Sequence, residues 1–197
     1  MKPLVKVPPE WMARSLAWAE RSVAGYNNGE KERSRALARP GIDKSVDAQL
    51  LGKAGECAFC KFMCLDPGLL DWGPKCDRGW DIEYLRHLID VKASGTRLLI
   101  WPVTKNEFLS ETPAELFAAV HRPRRDEVDT YEMLGWTTVS IFVTQHLTAR
   151  PPDYLDQGTK HLPEQMLFPM EELRVSPIVR TLLTKKIGAI LERHKAA

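Results

Sequence analysis

The sequence lacks the short patterns that assign many hydrolases directly. It has no Gly-x-Ser-x-Gly nucleophile elbow, no His-Glu-x-x-His zinc helix and no glycine-rich phosphate loop ending in Lys-Ser or Lys-Thr. Its five histidines form no familiar pattern with a cysteine or a serine. These absences argue against the hydrolase classes that carry such signatures.

Long apolar runs and a strong net charge are also missing. No apolar stretch reaches the roughly 18 residues that span a bilayer, and the amino terminus has no apolar core of a signal peptide. We therefore expect a cytoplasmic protein with no membrane partner. The formal net charge is only +2, so local basic clusters say more about nucleic-acid binding than the total does.

Cysteines are few but clustered, since all four fall within residues 57–76. They are Cys57, Cys60, Cys64 and Cys76. The first three have i, i+3, i+7 spacing, which is one stripe of a helix, and the third thiol lies about 10 Å along the axis from the first. We therefore expect them to pack as small apolar groups, and we expect neither a zinc ion nor an iron–sulfur cluster.

The most informative stretch of the chain is residues 80–92. It indicates two short strands around a tight turn, because apolar and polar residues alternate there. Asp90 and Lys92 share a face, since side chains alternate along a strand. A hairpin loop with an even number of residues places Asp81 on that face as well. Two carboxylates beside an amine suit a divalent cation and a phosphodiester, and the alternative is an exposed hairpin with ordinary ion pairs.

Upstream, a proline-free stretch with apolar residues at helical spacing predicts a helix over residues 46–64. Gly52 and Gly55 lie in its middle, where each glycine costs about 1 kcal/mol relative to alanine. That cost is understandable if the helix passes close to another backbone. Glu56 is then carried toward whatever the helix packs on, and the alternative is a solvated acid that pairs with Lys53 or Lys61.

Together these segments resemble the PD-(D/E)XK nuclease superfamily, the restriction-endonuclease-like proteins, especially its phage and bacterial members. The segments are Gly52-x-x-Gly55-Glu56, Gly79-Trp80-Asp81 and Ile89-Asp90-Val91-Lys92-Ala93-Ser94. They keep the family order of a helix acid, a strand aspartate and then Asp/Glu-x-Lys. The resemblance covers about residues 46–101, with weaker support at 116–120 and 133–136. It departs from the family at Trp80, which replaces the proline expected before the first aspartate.

The resemblance implies a Mg²⁺ site, with Mn²⁺ able to substitute. Asp81 and Asp90 would be direct ligands, with the Val91 carbonyl as a third. Lys92 would assist the attacking water, and Glu56 would hold a metal-bound water or a second metal. The implied activity is hydrolysis of phosphodiester bonds in DNA, with an endonuclease favoured and RNA as the alternative substrate. Cutting both strands of a duplex often needs two active sites, which is compatible with a homodimer.

The alternative function is a non-catalytic nucleic-acid-binding or assembly module that keeps the nuclease fold. For nucleic-acid contacts the candidates are Ser94 and the three arginines of the basic run at residues 121–125, which are Arg122, Arg124 and Arg125. Ser94 can instead make a hydrogen bond at a strand end. A second basic stretch lies within residues 31–44, and a solvated loop is the alternative for both runs.

For the fold, we expect one α/β domain over residues 1–197, with a central mixed sheet flanked by helices. Its restriction-endonuclease-like core would span about residues 45–148, between a helical extension at 8–40 and a tail at 149–197. Further strands are expected at residues 98–103, 116–120 and 131–136, a helix or strand at 138–147, and a final helix at 177–194. Thr112 and Pro113 form a helix-start signal, but the family comparison favours the strand at 116–120.

Overall fold

A computed structural model of the chain describes residues 2–27, 45–73, 79–101, 109, 111–146 and 159–174. The fold is α/β, with a mixed five-stranded sheet and several helices, as expected. Cys76, the basic stretch at 31–44 and the expected helix at 177–194 lie outside the described residues. Within the described part, no helix combines the length and the apolar character that crossing a membrane requires.

The strands and helices have the following bounds. The strands are β1 (Leu4–Lys6), β2 (Ile82–Tyr84), β3 (His87–Ser94), β4 (Leu98–Trp101), β5 (Leu116–His121), β6 (Thr130–Thr138) and β7 (Lys160–Pro163). The helices are α1 (Pro9–Asn27), α2 (Val46–Met63), α3 (Val139–Gln145) and α4 (Glu171–Arg174). The main sheet has the order β1-β6-β5-β3-β2, and β4 pairs with β7 in a second sheet. Within the main sheet, β3 and β5 are parallel and the other neighbours are antiparallel.

The hairpin expected around residues 80–92 is present as β2 and β3. Ile82 pairs with Ile89, and Tyr84 pairs with His87 across a two-residue loop. Both loop residues are left-handed, with φ of 50° and 67°. Two positive φ angles are the mark of the hairpin turn whose twist matches the strands it joins.

Helix α2 lies against the sheet at the position of one of its two glycines. A Cβ added at Gly55 would lie 2.5 Å from Ala93 Cβ and 3.0 Å from Val120 Cγ2, so only glycine allows the observed contact. A close approach at Gly55 is thus present, although the nearest atoms belong to side chains of the sheet and not to another backbone. The same prediction was wrong for Gly52, where an added Cβ would meet nothing within 4 Å.

Two hydrophobic cores lie on the two faces of the sheet. The core under α2 includes Ile82, Ile89 and Val91, and the other core includes Phe117 and Phe142. Cys57 and Cys60 are buried in the first core, in line with their expected packing, whereas Cys64 is exposed at the end of α2. Burial raises the pKa of the Cys57 thiol to about 11, so this thiol stays protonated at neutral pH.

The remaining elements agree with the sequence in part. The expected strands at residues 98–103, 116–120 and 131–136 correspond to β4, β5 and β6, although only residues up to 101 are described for the first. The ambiguous stretch at 138–147 is the helix α3, whose first turn is capped by the Thr138 side chain. Strands β1 and β7 were not anticipated, and β1 extends the main sheet through β6.

Candidate active site

The candidate site lies where β2 stops pairing with β3. The carbonyls of Leu88 and Ser94 accept hydrogen bonds from the β5 side of β3. Backbone groups alternate sides along a strand, so the N–H and C=O groups of Ile89 and Val91 face the β2 side. The last residue of β3 that pairs with β2 in this direction is Ile89, which lies opposite Ile82. Val91 is therefore the first residue on that side that lies beyond the ladder of the hairpin.

Asp81 occupies this position with its side chain. Its backbone N–H donates to the Ile89 carbonyl at 2.9 Å, and its Oδ2 accepts from the Val91 N–H at 2.7 Å. The carboxylate thus takes the place that the next backbone carbonyl of β2 would have. The Val91 carbonyl leaves β3 on the same side as the Val91 N–H, so a main-chain oxygen and a carboxylate share this edge.

Asp90 and Lys92 form an ion pair on one face of β3. Lys92 Nζ lies 2.5 Å from Asp90 Oδ2, which confirms that the two side chains share a face. The ammonium also lies 4.9 Å from the ring centroid of Trp101, within cation–π range. Side-chain exposure is 9% for Asp90 and 19% for Lys92. The amine is therefore held in place by a carboxylate and an aromatic ring, with part of its surface open to solvent.

Glu56 reaches the site from α2, one residue after the close contact at Gly55. Its side chain is buried and forms an ion pair with Lys53. Burial raises the pKa of Glu56 to about 6, with the negative charge of Asp90 adding to the effect and Lys53 opposing it. The pairing with Lys53 was one of the alternatives, but the pair is buried and not solvated.

The charges of Glu56 and Asp90 both act on Asp81. Desolvation raises the Asp81 pKa well above its usual range, followed in effect by the negative charges of Glu56 and Asp90. Lys92 and Lys53 oppose this rise. With all five groups ionised their net charge would be −1, and the raised pKa values of Asp81 and Glu56 mean that these carboxyls hold protons more readily than free ones. A cation bound there would have to replace those protons.

The candidate donors for a cation at this site are all oxygen atoms. Within the described ranges, no three Asp, Glu, His or Cys side chains form a group that could hold a metal ion. Mg²⁺ needs less than that, because it takes one or two protein carboxylates and keeps several waters. Asp81, Asp90 and the Val91 carbonyl offer oxygen donors of this kind. Ligation by Asp90 would require its carboxylate to be shared with Lys92 or released from it.

Lys53 is a member of the site that the motifs did not identify. Its Nζ contacts Glu56, donates to the Asp71 carbonyl at 3.1 Å and lies 4.6 Å from the Trp18 ring centroid. The residue is 4% exposed. Its i, i+3 spacing from Glu56 was a usable signal, but the sequence did not show that the lysine is buried.

Ser94 adopts the alternative role considered for it. Ser94 is buried. Its Oγ accepts a hydrogen bond from the Thr96 N–H at 3.0 Å and shares another with Thr96 Oγ1 at 2.9 Å. These are hydrogen bonds that close the end of β3. They give Ser94 a local structural role, and a contact with phosphate would have to replace one of them.

The three candidate arginines divide into one buried residue and two exposed ones. Arg122 is buried, and its guanidinium makes a two-pronged contact with Asp47 in the first turn of α2, at 3.1 and 3.2 Å. It ties the end of β5 to α2, so its guanidinium is already engaged within the fold, and a contact of Arg122 with nucleic acid stays a prediction. Arg124 is exposed and pairs with Asp126 and Glu127, and Arg125 is also exposed.

No family model, no curated protein and no solved structure matches the chain. Its motifs and the geometry of the site therefore carry the functional argument.

Proposed function

We propose that this chain is a Mg²⁺-dependent nuclease that hydrolyses phosphodiester bonds in DNA, with endonucleolytic cleavage favoured. We further propose that its sheet and α2 form a restriction-endonuclease-like core of the PD-(D/E)XK type. The observations that carry the proposal are the ion pair of Asp90 with Lys92, the bond from the Val91 N–H to Asp81, and the effect of the Glu56, Asp90 and Lys92 charges on Asp81. Helix α2, the residue just before β2, and strand β3 supply these groups in the order that the motif requires.

The acids and the amine have distinct roles in this proposal. Asp81, Asp90 and the Val91 carbonyl would hold Mg²⁺, or Mn²⁺ in its place. The bound ion would lower the pKa of a water and polarise a phosphoryl oxygen. Phosphoryl transfer depends mainly on positioning and charge stabilisation, and each of these side chains is fixed by a defined partner.

Lys92 is suited to stabilise charge that develops on the phosphate. Its ammonium is held between Asp90 and the Trp101 ring, so little reorganisation is needed at the moment of reaction. Glu56 is suited to a proton-transfer role on the attacking water, because a carboxyl whose pKa is about 6 both accepts and releases a proton near neutral pH. The charges of both groups act on Asp81.

The test is cleavage of supercoiled, linear and branched DNA in Mg²⁺, Mn²⁺ or EDTA. We expect nicking that requires a divalent ion and that Lys92→Ala abolishes, while the variant stays folded and binds DNA. Lys61→Ala is the matched control, because Lys61 is an exposed lysine of α2 that hydrogen-bonds the Lys6 carbonyl away from the site. Unchanged nicking by Lys92→Ala would refute the assignment.

One observation favours the second candidate, a nucleic-acid-binding module without catalysis. Glu56 and Asp90 are each paired with a lysine, so two of the three acids are neutralised without a metal. This candidate predicts DNA binding that falls with salt and no cleavage with either ion. It also predicts that Asp90→Ala leaves binding unchanged in the presence of Mg²⁺.

A further inference from the structure

Lys53 is the one charged group of the site that the proposed nuclease chemistry does not use. It comes from the middle of α2, where its residue is 4% exposed. A lysine this deeply buried is rare unless its ammonium has partners. Here the partners are the Glu56 carboxylate, the Asp71 carbonyl and the ring of Trp18. Lys53 is therefore built into the fold and is not a surface charge that happens to lie near an acid.

The position of this ammonium matters for any cation in the site. Its positive charge acts on both Glu56 and Asp81. A divalent ion ligated by Glu56 would lie against a buried like charge, where repulsion is strong because the surroundings are poorly polarisable. Asp81 and Asp90 are different, because the Asp81 carboxylate accepts from the backbone amide of Val91 and Asp90 is paired with the more exposed Lys92.

Resting on the proposed function, we infer that Lys53 takes the place of a second metal ion, so that the site binds one divalent ion between Asp81 and Asp90. Glu56 is then kept as a carboxylate that orients water and does not ligate a metal. Lys53 is a positioning residue in this arrangement, because it acts through Glu56. The surrounding rings of Trp18 and Trp72, at 4.6 and 5.7 Å from Nζ, keep the ammonium where it is.

The experiment is a count of bound ions that does not depend on cleavage. Mn²⁺ binding to the whole chain is followed by the loss of the free-ion signal in electron paramagnetic resonance, without DNA. We expect one ion per chain for the wild type and none for a variant with both Asp81→Asn and Asp90→Asn. We expect Lys53→Met to bind a second ion, or to bind the first about tenfold more tightly, because one buried positive charge has been removed.

The controls separate this inference from the proposed function. Lys61→Met removes the same charge from an exposed position of the same helix and should leave both the number of ions and their affinity unchanged. Two ions bound to a wild-type protein that cleaves DNA would overturn the one-ion inference alone. No bound ion would overturn both proposals. If Lys53→Met does not fold, the wild-type count still decides between one ion and two.

Discussion

Replacing Gly55 by alanine tests whether the contact between α2 and the sheet positions the site. The new Cβ would lie 2.5 Å from Ala93 Cβ, whereas carbon atoms in contact are about 3.5–4.0 Å apart. The helix must therefore move away by roughly 1 Å. Such overpacking costs about 1–3 kcal/mol, and the gain from replacing a helical glycine returns up to about 1 kcal/mol. We expect a net loss of about 1–2 kcal/mol in the free energy of unfolding.

The same shift should reach Glu56, the next residue along α2. A displacement of about 1 Å at a reacting group can cost up to about a hundredfold in rate, so we expect DNA cleavage to fall by about ten- to a hundredfold. Chemical denaturation and a nicking assay measure the two effects.

Gly52→Ala is the matched control for this prediction. An added Cβ at Gly52 meets nothing within 4 Å, so alanine should stabilise the helix by up to about 1 kcal/mol and leave cleavage unchanged. Equal stability and activity of the Gly55→Ala variant would refute the reasoning, and so would equal damage from both substitutions.

Three further predictions concern charge. The pKa of Glu56 is raised from 4.5 to about 6, so between these pH values the native state binds more protons than the unfolded state. Without metal, the free energy of unfolding should therefore fall by about 1–2 kcal/mol as the pH rises through this range. Chemical denaturation at several pH values should show a flatter profile for Glu56→Gln, and a wild-type stability that rises with pH there would contradict the assignment. Arg122→Met should lower the free energy of unfolding by only about 1 kcal/mol, because the side chain of its partner Asp47 is half exposed, and it should have little effect on DNA binding. The double variant with Arg124→Ala and Arg125→Ala should instead weaken DNA binding and reduce its salt dependence, as measured by fluorescence anisotropy. Equal binding by the Arg124 and Arg125 double variant at all salt concentrations would remove this loop from the interface.

Much of the region around the site could be predicted because its signals are local. Helix α2 was predicted to within one residue at its carboxy end, since its apolar spacing and freedom from proline are properties of one short segment. The hairpin was predicted for a similar reason, because alternation and a two-residue turn define both strands. The alternation of side chains along β3 was enough to place Asp90 and Lys92 on the same face of the strand.

What the sequence did not reveal depends on contacts between distant residues. Strand β1 has only three residues and is defined by its pairing with β6, far along the chain. Arg122 looked like part of a basic loop, but its partner Asp47 lies 75 residues earlier. Lys53 looked like a surface lysine because its burial comes from Trp18 and Trp72. In each case the partner is distant in sequence and becomes a neighbour only in the folded protein, so the local sequence pattern does not identify it.

The hydrogen bond between Asp81 and Val91 also bears on how the molecule avoids self-association. A strand that runs on past its neighbour presents amides to which an extended segment of another copy can add, and charged groups along such margins are a common defence. Here a carboxylate occupies the first amide beyond β2. A second polypeptide that extended the hairpin would have to displace this carboxylate, so Asp81 disfavours the pairing of another strand at this amide.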